Sequence, residues 1–237
     1  MKKIFSIIIP IYNESENIIN LLEEIKFNLK KETVSFEIII VDDSSIDDSI
    51  KIIREYIEKN IAKLTIRLIC NKKNYGQSYS IREGVKNAYN STIVTIDGDG
   101  QNNPKDIMSL INYYFSNIGL SLVGGLREKR KDTYLKIISS KIANYIRKNI
   151  LSDDCDDTGC SLKVFDKKIF LQFPYFSGIH RFLPALFKGY GCKTYFIKVD
   201  HRKRLAGISK YGTIVRLFRG IRDIFIVIRI IKKFNHY

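Results

Sequence analysis

The sequence predicts an α/β fold: a mostly parallel sheet with helices on both of its faces. Short apolar runs rich in Ile, Val and Thr alternate along the chain with segments whose apolar residues recur at helical spacing. This alternation is typical of strand-helix-strand units, which build parallel sheets covered by helices. With 237 residues, 45% of them hydrophobic and 27% charged, the chain suits a folded domain with a substantial core. Polar clusters follow directly after three of the runs, where such sheets bind ligands.

Five strands and the helices between them are predicted in order. The strands cover residues 4–9, 36–41, 64–69, 93–96 and 120–124. The first helix opens near Glu14, the second passes through Ile53, the third follows Gly76, and the fourth covers 104–117 with Pro104 in its first turn. Residues 177–191 predict an amphipathic helix that packs inward. The predicted domains are 1–212 and a C-terminal amphipathic helix over 213–237.

Three polar clusters follow the strands: residues 10–14, Asp42 with Asp43, and residues 97–101. The carboxyl ends of parallel strands meet at one rim of the sheet, so the clusters are expected to gather where such folds bind nucleotides. A Gly-x-Gly-x-x-Gly after the first strand and a P-loop are both missing from the sequence. A dinucleotide-binding dehydrogenase and a P-loop NTPase are therefore disfavoured.

The segment TIDGDGQNNP predicts a metal site. Asp97, Asp99 and Gln101 alternate with Gly98 and Gly100, and their oxygens are the hard ligands that Mg²⁺ or Mn²⁺ prefers. The glycines let the backbone turn tightly and approach a bound group. The alternative is an acidic turn that caps the following helix. The position at the end of a hydrophobic strand favours a metal that grips a diphosphate.

The charge of the chain is unevenly placed. Its formal net charge is +15, and residues 198–233 hold eleven Lys or Arg against two acids, Asp200 and Asp223. An anionic partner is expected for this end: a phosphorylated substrate, an acidic membrane surface or nucleic acid.

The four cysteines and the N-terminus give weaker signals. Cys70, Cys155, Cys160 and Cys192 show no CxxC spacing, which favours reduced thiols of a cytosolic protein over a zinc site. The apolar run in MKKIFSIIIP is too short for a signal peptide and predicts a first strand instead.

Several runs carry a resemblance to a known family. IIIPIYNESENI, EIIIVDDSSIDDS, NYGQSYSIREGV and VTIDGDGQNNPKDI resemble the family 2 glycosyltransferases, which have the Rossmann-like GT-A fold. GGLREKRKDTYLKIISSKIAN, DDTGCSLKVF and HRKRLAGISKYG are similar to the polyprenyl-phosphate branch, which includes dolichyl-phosphate mannose synthase and bacterial undecaprenyl-phosphate sugar transferases. The resemblance covers roughly residues 4 to 215.

The resemblance implies an inverting, metal-dependent transfer of one sugar from a nucleotide sugar, with UDP preferred to GDP, to a polyprenyl phosphate. The lipid is an undecaprenyl, dodecaprenyl or dolichyl phosphate, and the product is a lipid-linked sugar donor for envelope glycan or lipid A modification. The Gln-x-x-Arg-Trp element of processive members is missing, and the chain has no tryptophan. One sugar per turnover is the expected outcome.

Carried over residue by residue, the resemblance assigns three groups of site residues. The nucleoside group is Pro10, Tyr12, Glu14 and Asp42, with Asp43 beside them. The metal and diphosphate group is Asp97, Asp99 and Gln101, with Arg127, Arg204 and Lys210 facing phosphate. The acceptor-phosphate group takes Lys141, His180 and Arg181 from the resemblance, while Asp157 and Arg202 join it from the chemistry of the residues alone. Lys141 stands where the branch often has arginine, and a lysine there loses the bidentate fork.

A phosphate acceptor changes the chemistry that the site must supply. A sugar hydroxyl needs a general base, whereas a phosphate monoester, with a second pKa of about 6, is already largely ionised at pH 7. Cations are then needed instead of a base, and the segment His201–Lys210 is rich in them. Its alternative interpretation is a solvated basic loop. Asp157 is either a base or a residue that orients Arg or Lys.

The segment 213–234 predicts a basic amphipathic helix. Its apolar residues at helical spacing are Ile214, Leu217, Phe218, Ile221, Ile224, Phe225, Ile228 and Ile231. Such a helix favours the anionic membrane interface, and its arginines disfavour a spanning helix. A peripheral protein on the cytoplasmic face of the inner membrane is expected, with a second copy or a small membrane protein as a partner. The alternative is packing on the domain's own core or on a second subunit.

Three rival functions remain. A family 2 glycosyltransferase acting on a sugar hydroxyl would share the same nucleotide and metal residues. A nucleotidyltransferase would also bind nucleotide and metal, but residues 10–14 lack the expected glycine-rich basic loop. A nucleic-acid-binding protein would use the basic end, but no interleaving of aromatic and basic residues is present, and the acidic rim would repel a phosphate backbone.

Overall fold

In the computed structural model, residues 2–30, 32–61, 64–128, 147–203 and 213–235 are described, the last segment with side chains only from Gly220 to Phe234. The strands are β1 (Lys3–Ile11), β2 (Val34–Asp42), β3 (Thr65–Cys70), β4 (Thr92–Thr95), β5 (Leu120–Arg127), β6 (Lys163–Asp166) and β7 (Lys193–Val199). The helices are α1 (Ile18–Leu29), α2 (Ser49–Asn60), α3 (Gln77–Asn87), α4 (Asp106–Ser116), α5 (Lys167–Gln172), α6 (Leu183–Gly189) and α7 (Thr213–Asn235). Residues 147–151 are also helical.

One sheet joins the seven strands in the order β3-β2-β1-β4-β6-β5-β7. The pairings β1 with β2, β1 with β4, β2 with β3 and β5 with β7 are parallel, whereas β6 is antiparallel to both β4 and β5. The predicted mostly parallel sheet and its first five strands are therefore confirmed. Strands β6 and β7 were not predicted. Strand β6 is only four residues long and has a charged residue at each end, so its apolar run is too short to recognise.

Hydrophobic layers cover both faces of the sheet, because consecutive strand residues point to opposite faces. Ile7 and Ile9 pack into the layer with α1, α2 and α4, and Ile8 packs into the layer with α3, α5 and α6. Gly84 lets α3 approach β1 closely, since a Cβ there would lie 2.5 Å from the Ile8 Cγ2 atom. This close packing fixes the N-terminus of α3 beside the carboxyl ends of the central strands.

The segment 177–191 does not form the single helix that was predicted. It divides into a 3₁₀ turn, Ile179–Arg181, and helix α6. Gly178 precedes the turn with a φ of 105°, and Pro184 in the first turn of α6 lacks the N–H that a continuous helix would need. Its inward packing was correctly predicted, since Leu183, Leu186 and Phe187 are buried.

Helix α7 packs one face against this part of the domain. Asp223 and Val227 are buried, Ile231 lies over Gly189, and the Phe234 ring stacks on Tyr190 with centroids 3.8 Å apart. The described part of α7 therefore adopts the alternative of packing on the domain's own core. Among the described residues, no helix combines the length and apolarity needed to cross a bilayer.

Candidate active site

The three polar clusters do meet at one rim of the sheet. Strands β1, β2 and β4 are adjacent and parallel, so residues 10–14, 42–43 and 97–101 all follow the same ends of neighbouring strands. The backbone N–H of Asp43 donates to the Ile11 carbonyl at 2.9 Å, which fastens two of the clusters together. The N-terminus of α3 faces the same rim through hydrogen bonds to Asp43 and Asp97.

Asp97 is held by its neighbours. The Gln77 amide Nε2 donates to the Asp97 Oδ1 atom at 2.6 Å, and the Asp97 backbone N–H donates to the Ser161 Oγ atom at 3.2 Å. Burial, and then the charge of Asp99, raise the pKa of Asp97 to about 7, although Ser161 and the nearby Lys163 and Arg127 oppose the rise. Two carboxylates that repel each other in this way form a place where a cation is favoured.

Backbone contacts fix the rest of the loop formed by residues 97–102, the acidic loop. The Gln101 N–H donates to Asp99 Oδ1 at 3.1 Å, and the Gln101 carbonyl accepts a 2.8 Å bond from the Arg202 N–H. Asn102 and His201 form an antiparallel bridge. The start of the basic segment therefore lies directly beside the acidic loop, as the phosphate-binding prediction requires.

These residues fit the implied divalent cation. Asp97, Asp99 and Gln101 supply two carboxylates and an amide oxygen, and the repulsion at Asp97 would be relieved by positive charge. The part of the chain that is described contains no group of three or more His, Cys, Asp and Glu side chains that could hold a metal ion. A bound Mg²⁺ or Mn²⁺ would thus need further oxygens from a ligand diphosphate, which is how Mg²⁺ usually binds.

One carboxylate oxygen of Asp42 accepts no hydrogen bond from the described residues. The residue is 0% exposed; its Oδ2 accepts from the Ser45 N–H at 3.0 Å, but its Oδ1 has no hydrogen-bond partner among the described residues. A buried acceptor without a partner is unfavourable, and a ligand N–H or O–H would satisfy it. This geometry fits the nucleoside role that was predicted for Asp42.

Asp43 holds the loop between β3 and α3. Its Oδ1 accepts from Asn71 Nδ2 at 2.8 Å and from the Tyr75 N–H at 3.0 Å, and its Oδ2 accepts from the Gly76 N–H at 2.7 Å. These bonds use Asp43 to shape the rim. Its predicted place beside the nucleoside residues agrees with this position.

The other nucleoside candidates lie around the first loop. Pro10 is buried in β1, and Tyr12 follows that strand half-buried. Glu14 is 8% exposed; its N–H donates to Ser49 Oγ at 2.9 Å and its Oε2 accepts from Asn17 Nδ2 at 2.8 Å. The structure brings these residues together, and their nucleoside contacts stay predictions.

Arg127 ends β5 in a bidentate ion pair with Asp157. Its Nε donates to Asp157 Oδ2 at 2.6 Å, and its Nη2 donates to Oδ1 at 2.7 Å. Both side chains are nearly buried, at 13% and 10% exposed. Of the two interpretations of Asp157, this geometry matches the residue that orients an arginine. A carboxylate engaged at both oxygens is a poor general base.

His180 and Arg181 lie in the 3₁₀ turn. The His180 Nδ1 atom lies 2.6 Å from the Ser78 Oγ atom, one residue after Gln77. Burial, then the charges of Arg181 and Lys163, lower the pKa of His180 to about 3, so the imidazole is neutral at pH 7. Arg181 donates to the buried Asp223 of α7 at 2.9 Å.

Arg202 is engaged by protein groups. Its guanidinium pairs with Glu24 at 2.9 Å and donates to the Asn102 carbonyl at 3.1 Å, so protein groups hold it at the end of the acidic loop. The three other predicted cations, Lys141, Arg204 and Lys210, lie outside the described residues.

Four residues of this site were not singled out from the sequence: Gln77, Asn102, Ser161 and Lys163. The Ser161 hydroxyl donates to the Asn102 Oδ1 atom at 2.6 Å and locks the acidic loop onto the turn before β6. Gln77 follows Gly76 at the start of a predicted helix, which places it at the rim. The signal for Lys163 is a lone charge inside the apolar run LKVF.

The sequence of the chain was compared with protein families and with known proteins. The profile of the family described as "Glycosyl transferase family 2" matches residues 6–173. The chain is 35% identical over 222 residues to dodecaprenyl-phosphate galacturonate synthase of Rhizobium johnstonii, covering 92% of this chain and 64% of the relative. It is 30% identical over 210 residues to undecaprenyl-phosphate 4-deoxy-4-formamido-L-arabinose transferase of Aeromonas hydrophila, covering 89% and 63%. The chain thus spans a little under two thirds of these relatives.

Solved structures show the same fold at low sequence identity. Glucosyl-3-phosphoglycerate synthase of Mycobacterium tuberculosis, with Mn²⁺, UDP and phosphoglyceric acid, matches with a TM-score of 0.70 and 14% identity, covering 95% of this chain and 77% of that one. Mannosyl-3-phosphoglycerate synthase of Rubrobacter xylanophilus matches with a TM-score of 0.69 and 12% identity, covering 98% and 75%. The fold and the matched family profile together place this chain in glycosyl transferase family 2.

Proposed function

We propose that the protein transfers one sugar from a nucleoside-diphosphate sugar to a polyprenyl phosphate, with inversion at the sugar and with a divalent cation. The observation that carries the proposal is the Arg127–Asp157 pair beside the acidic loop. It gives the site a fixed cation, and it occupies the carboxylate that a hydroxyl acceptor would need as a base. The relatives named above support the polyprenyl phosphate, since their names carry dodecaprenyl or undecaprenyl phosphate.

Each group of the site has a task in this reaction. Asp42 would accept a hydrogen bond from the nucleoside, and Asp97, Asp99 and Gln101 would hold the cation. That cation, when bound, would stabilise negative charge on the departing diphosphate. Arg127 would add its charge on the same side, because the bidentate contact to Asp157 fixes its guanidinium. The ionised acceptor phosphate attacks the sugar without giving up a proton.

UDP is the proposed nucleotide. Structures of the similar glucosyl-3-phosphoglycerate synthase of Mycobacterium tuberculosis hold UDP with Mn²⁺ or Mg²⁺. Galacturonate and 4-deoxy-4-formamido-L-arabinose, the sugars in the relatives' names, are the first candidates for transfer. The product would serve as a lipid-linked sugar for envelope glycan or lipid A modification.

The experiment supplies the full chain with a panel of nucleotide sugars, Mg²⁺ or Mn²⁺, and either polyprenyl phosphate or the matching polyprenol. We expect metal-dependent release of nucleoside diphosphate that requires the phosphorylated lipid. Asp99→Asn should abolish it, while Asp200→Asn, an exposed carboxylate paired with Lys105, should leave it intact. Equal transfer to polyprenol, or transfer that survives chelation of the metal, would contradict the proposal.

The exposed face of α7 is the proposed contact with an anionic membrane surface. Ile221 and Phe225 are 48% and 62% exposed, and Arg222 and Arg229 lie beside them in solvent. Apolar side chains bordered by arginines favour the interface of anionic bilayers. This contact would place the enzyme at the cytoplasmic face of the inner membrane, where a second copy or a small membrane protein could join it.

Vesicle binding tests this surface. Phe225→Ser should weaken flotation with anionic vesicles while leaving the Tm unchanged. Phe234→Ser is the matched control, because Phe234 stacks on Tyr190 of the domain, so it should lower the Tm and spare vesicle binding. Binding that ignores Phe225, or that is equally strong on neutral vesicles, would refute the membrane contact.

A further inference from the structure

Lys163 is a lysine buried inside the sheet next to the acidic loop. It begins β6, and it is 3% exposed. In the antiparallel pairing of β4 with β6 it lies opposite Thr95, two residues before Asp97. A buried ammonium group is strongly unfavourable unless its charge and its hydrogens are satisfied. A lysine at this position therefore suggests a role that an apolar side chain could not fill.

The contacts of Lys163 reach the turn before β6. Its Nζ donates to the Thr158 carbonyl at 3.2 Å and also to the Cys160 carbonyl. The Cys160 N–H in turn donates to the Asp157 carbonyl at 3.3 Å. Lys163 thus braces the turn 157–160 from inside the protein. Asp157 at the start of that turn is the residue that holds Arg127.

The charge of Lys163 also reaches both sides of the site. It opposes the rise that burial and Asp99 impose on the pKa of Asp97. It adds to burial and Arg181 in lowering the pKa of His180. The charge of Lys163 therefore acts on the acidic loop as well as on the 3₁₀ turn.

We propose that Lys163 is a positioning residue, which fixes the turn 157–160 so that Asp157 presents Arg127 to the diphosphate. The brace acts through two backbone carbonyls and the Asp157 carboxylate, without contact between Lys163 and the substrate. The proposal rests on the proposed function for its effect on catalysis. The placement of Arg127 by Lys163 does not depend on which reaction is catalysed.

A stability cycle tests that placement without any substrate. The coupling between Arg127→Gln and Asp157→Asn is measured by denaturant unfolding in the wild type, in K163M and in K167M. Lys167 is the matched control, because its Nζ also donates to two backbone carbonyls, those of Lys86 and Ala88, at the other end of β6. We expect the coupling to fall by about half or more in K163M and to stay unchanged in K167M. If K163M does not fold, K163Q takes its place.

Kinetics give the second readout. We expect K163M to lower kcat/KM by about 10- to 100-fold, and by about twofold or less when Arg127 is already replaced by Gln. If the wild type transfers no sugar, the proposed function fails, and the stability cycle still decides the role of Lys163. An Arg127–Asp157 coupling that K163M leaves unchanged would overturn the proposal, and so would an equal kinetic loss with and without Arg127.

Discussion

Asp157→Asn is the sharpest perturbation of the site, because it keeps the size of the side chain and removes one charge. The wild-type carboxylate accepts from Arg127 at 2.6 and 2.7 Å. In the variant, an amide NH₂ group would face a guanidinium that can only donate, so at least one bond is lost. Arg127 would also keep a nearly buried charge without its counter-ion.

The size of the effect follows from burial. Removing one partner of a fully buried ion pair costs about 3–5 kcal/mol. The two side chains here are 13% and 10% exposed, so the lower end, about 3 kcal/mol, is expected. For a chain of this size that corresponds to a Tm lower by roughly 6–12 °C. If Arg127 stabilises the departing diphosphate, kcat should fall about 10²- to 10³-fold.

The neighbouring residue provides the control. Asp156 is 72% exposed and pairs with Lys148 at 2.7 Å, so Asp156→Asn makes the same chemical change on the surface. Surface pairs contribute little, and its Tm should stay within about 2 °C of the wild type. Thermal unfolding and steady-state kinetics of both variants decide the matter. If Asp157→Asn behaved like Asp156→Asn in both assays, the pair would not hold Arg127 in place.

Three further predictions concern single residues. Asp42→Ala should weaken UDP binding about tenfold in calorimetry, because it removes the buried acceptor; unchanged affinity would exclude a nucleoside contact. The folded pKa of His180, about 3, lies below the unfolded value of about 6.5, so its contribution to stability is full above pH 6.5 and is lost as the pH falls. His180→Gln should make the denaturant midpoint of unfolding less dependent on pH between 6.5 and 4. The same pH dependence in the variant and the wild type would contradict the buried neutral imidazole. Gly178→Ala should lower the Tm by several degrees, because Gly178 has a φ of 105° and the new Cβ would lie 2.5 Å from Asp223 Oδ2. An unchanged Tm would contradict the close packing of α7 on the 3₁₀ turn.

The strands and the rim could be predicted because they depend on local signals. Apolar β-branched runs define β1 to β5, and each polar cluster follows its strand in the sequence. Once the sheet is parallel, topology alone brings Asp42 and Asp97 to the same rim. No long-range pairing had to be known for that step.

The partners of the site residues could not be predicted in the same way. Gln77 and Asp97 are 20 residues apart, Arg127 and Asp157 are 30 apart, and Ser78 and His180 are 102 apart. Such pairs depend on how α3, the 3₁₀ turn and the antiparallel β6 pack, and β6 itself is too short for its pattern to reveal. The sequence therefore predicted where the polar clusters lie better than it predicted which side chains hold them.

Helix α7 shows the same limit in another form. Among its apolar residues with described side chains, Ile221 and Phe225 are exposed, whereas Ile224 and Ile231 pack on the domain. Periodicity alone does not distinguish the face that packs on the protein from the face that stays exposed. Residues two positions apart lie on nearly opposite faces of a helix. Asp223 therefore faces away from Ile221 and Phe225, and its 1% exposure marks the side that docks on the domain.

Asp223 also explains why that side cannot face lipid. A carboxylate within an apolar stripe would be repelled by an anionic surface, whereas here it accepts from Arg181 at 2.9 Å and from Arg222 at 3.2 Å. The ion pair ties α7 to the turn that carries His180, and His180 contacts Ser78 beside Gln77, the partner of Asp97. A continuous set of polar contacts thus joins the helix to the acidic loop. Among the described side chains of α7, Ile221 and Phe225 form the stripe open to a membrane contact, and the helix would then lie between the bilayer and the 3₁₀ turn.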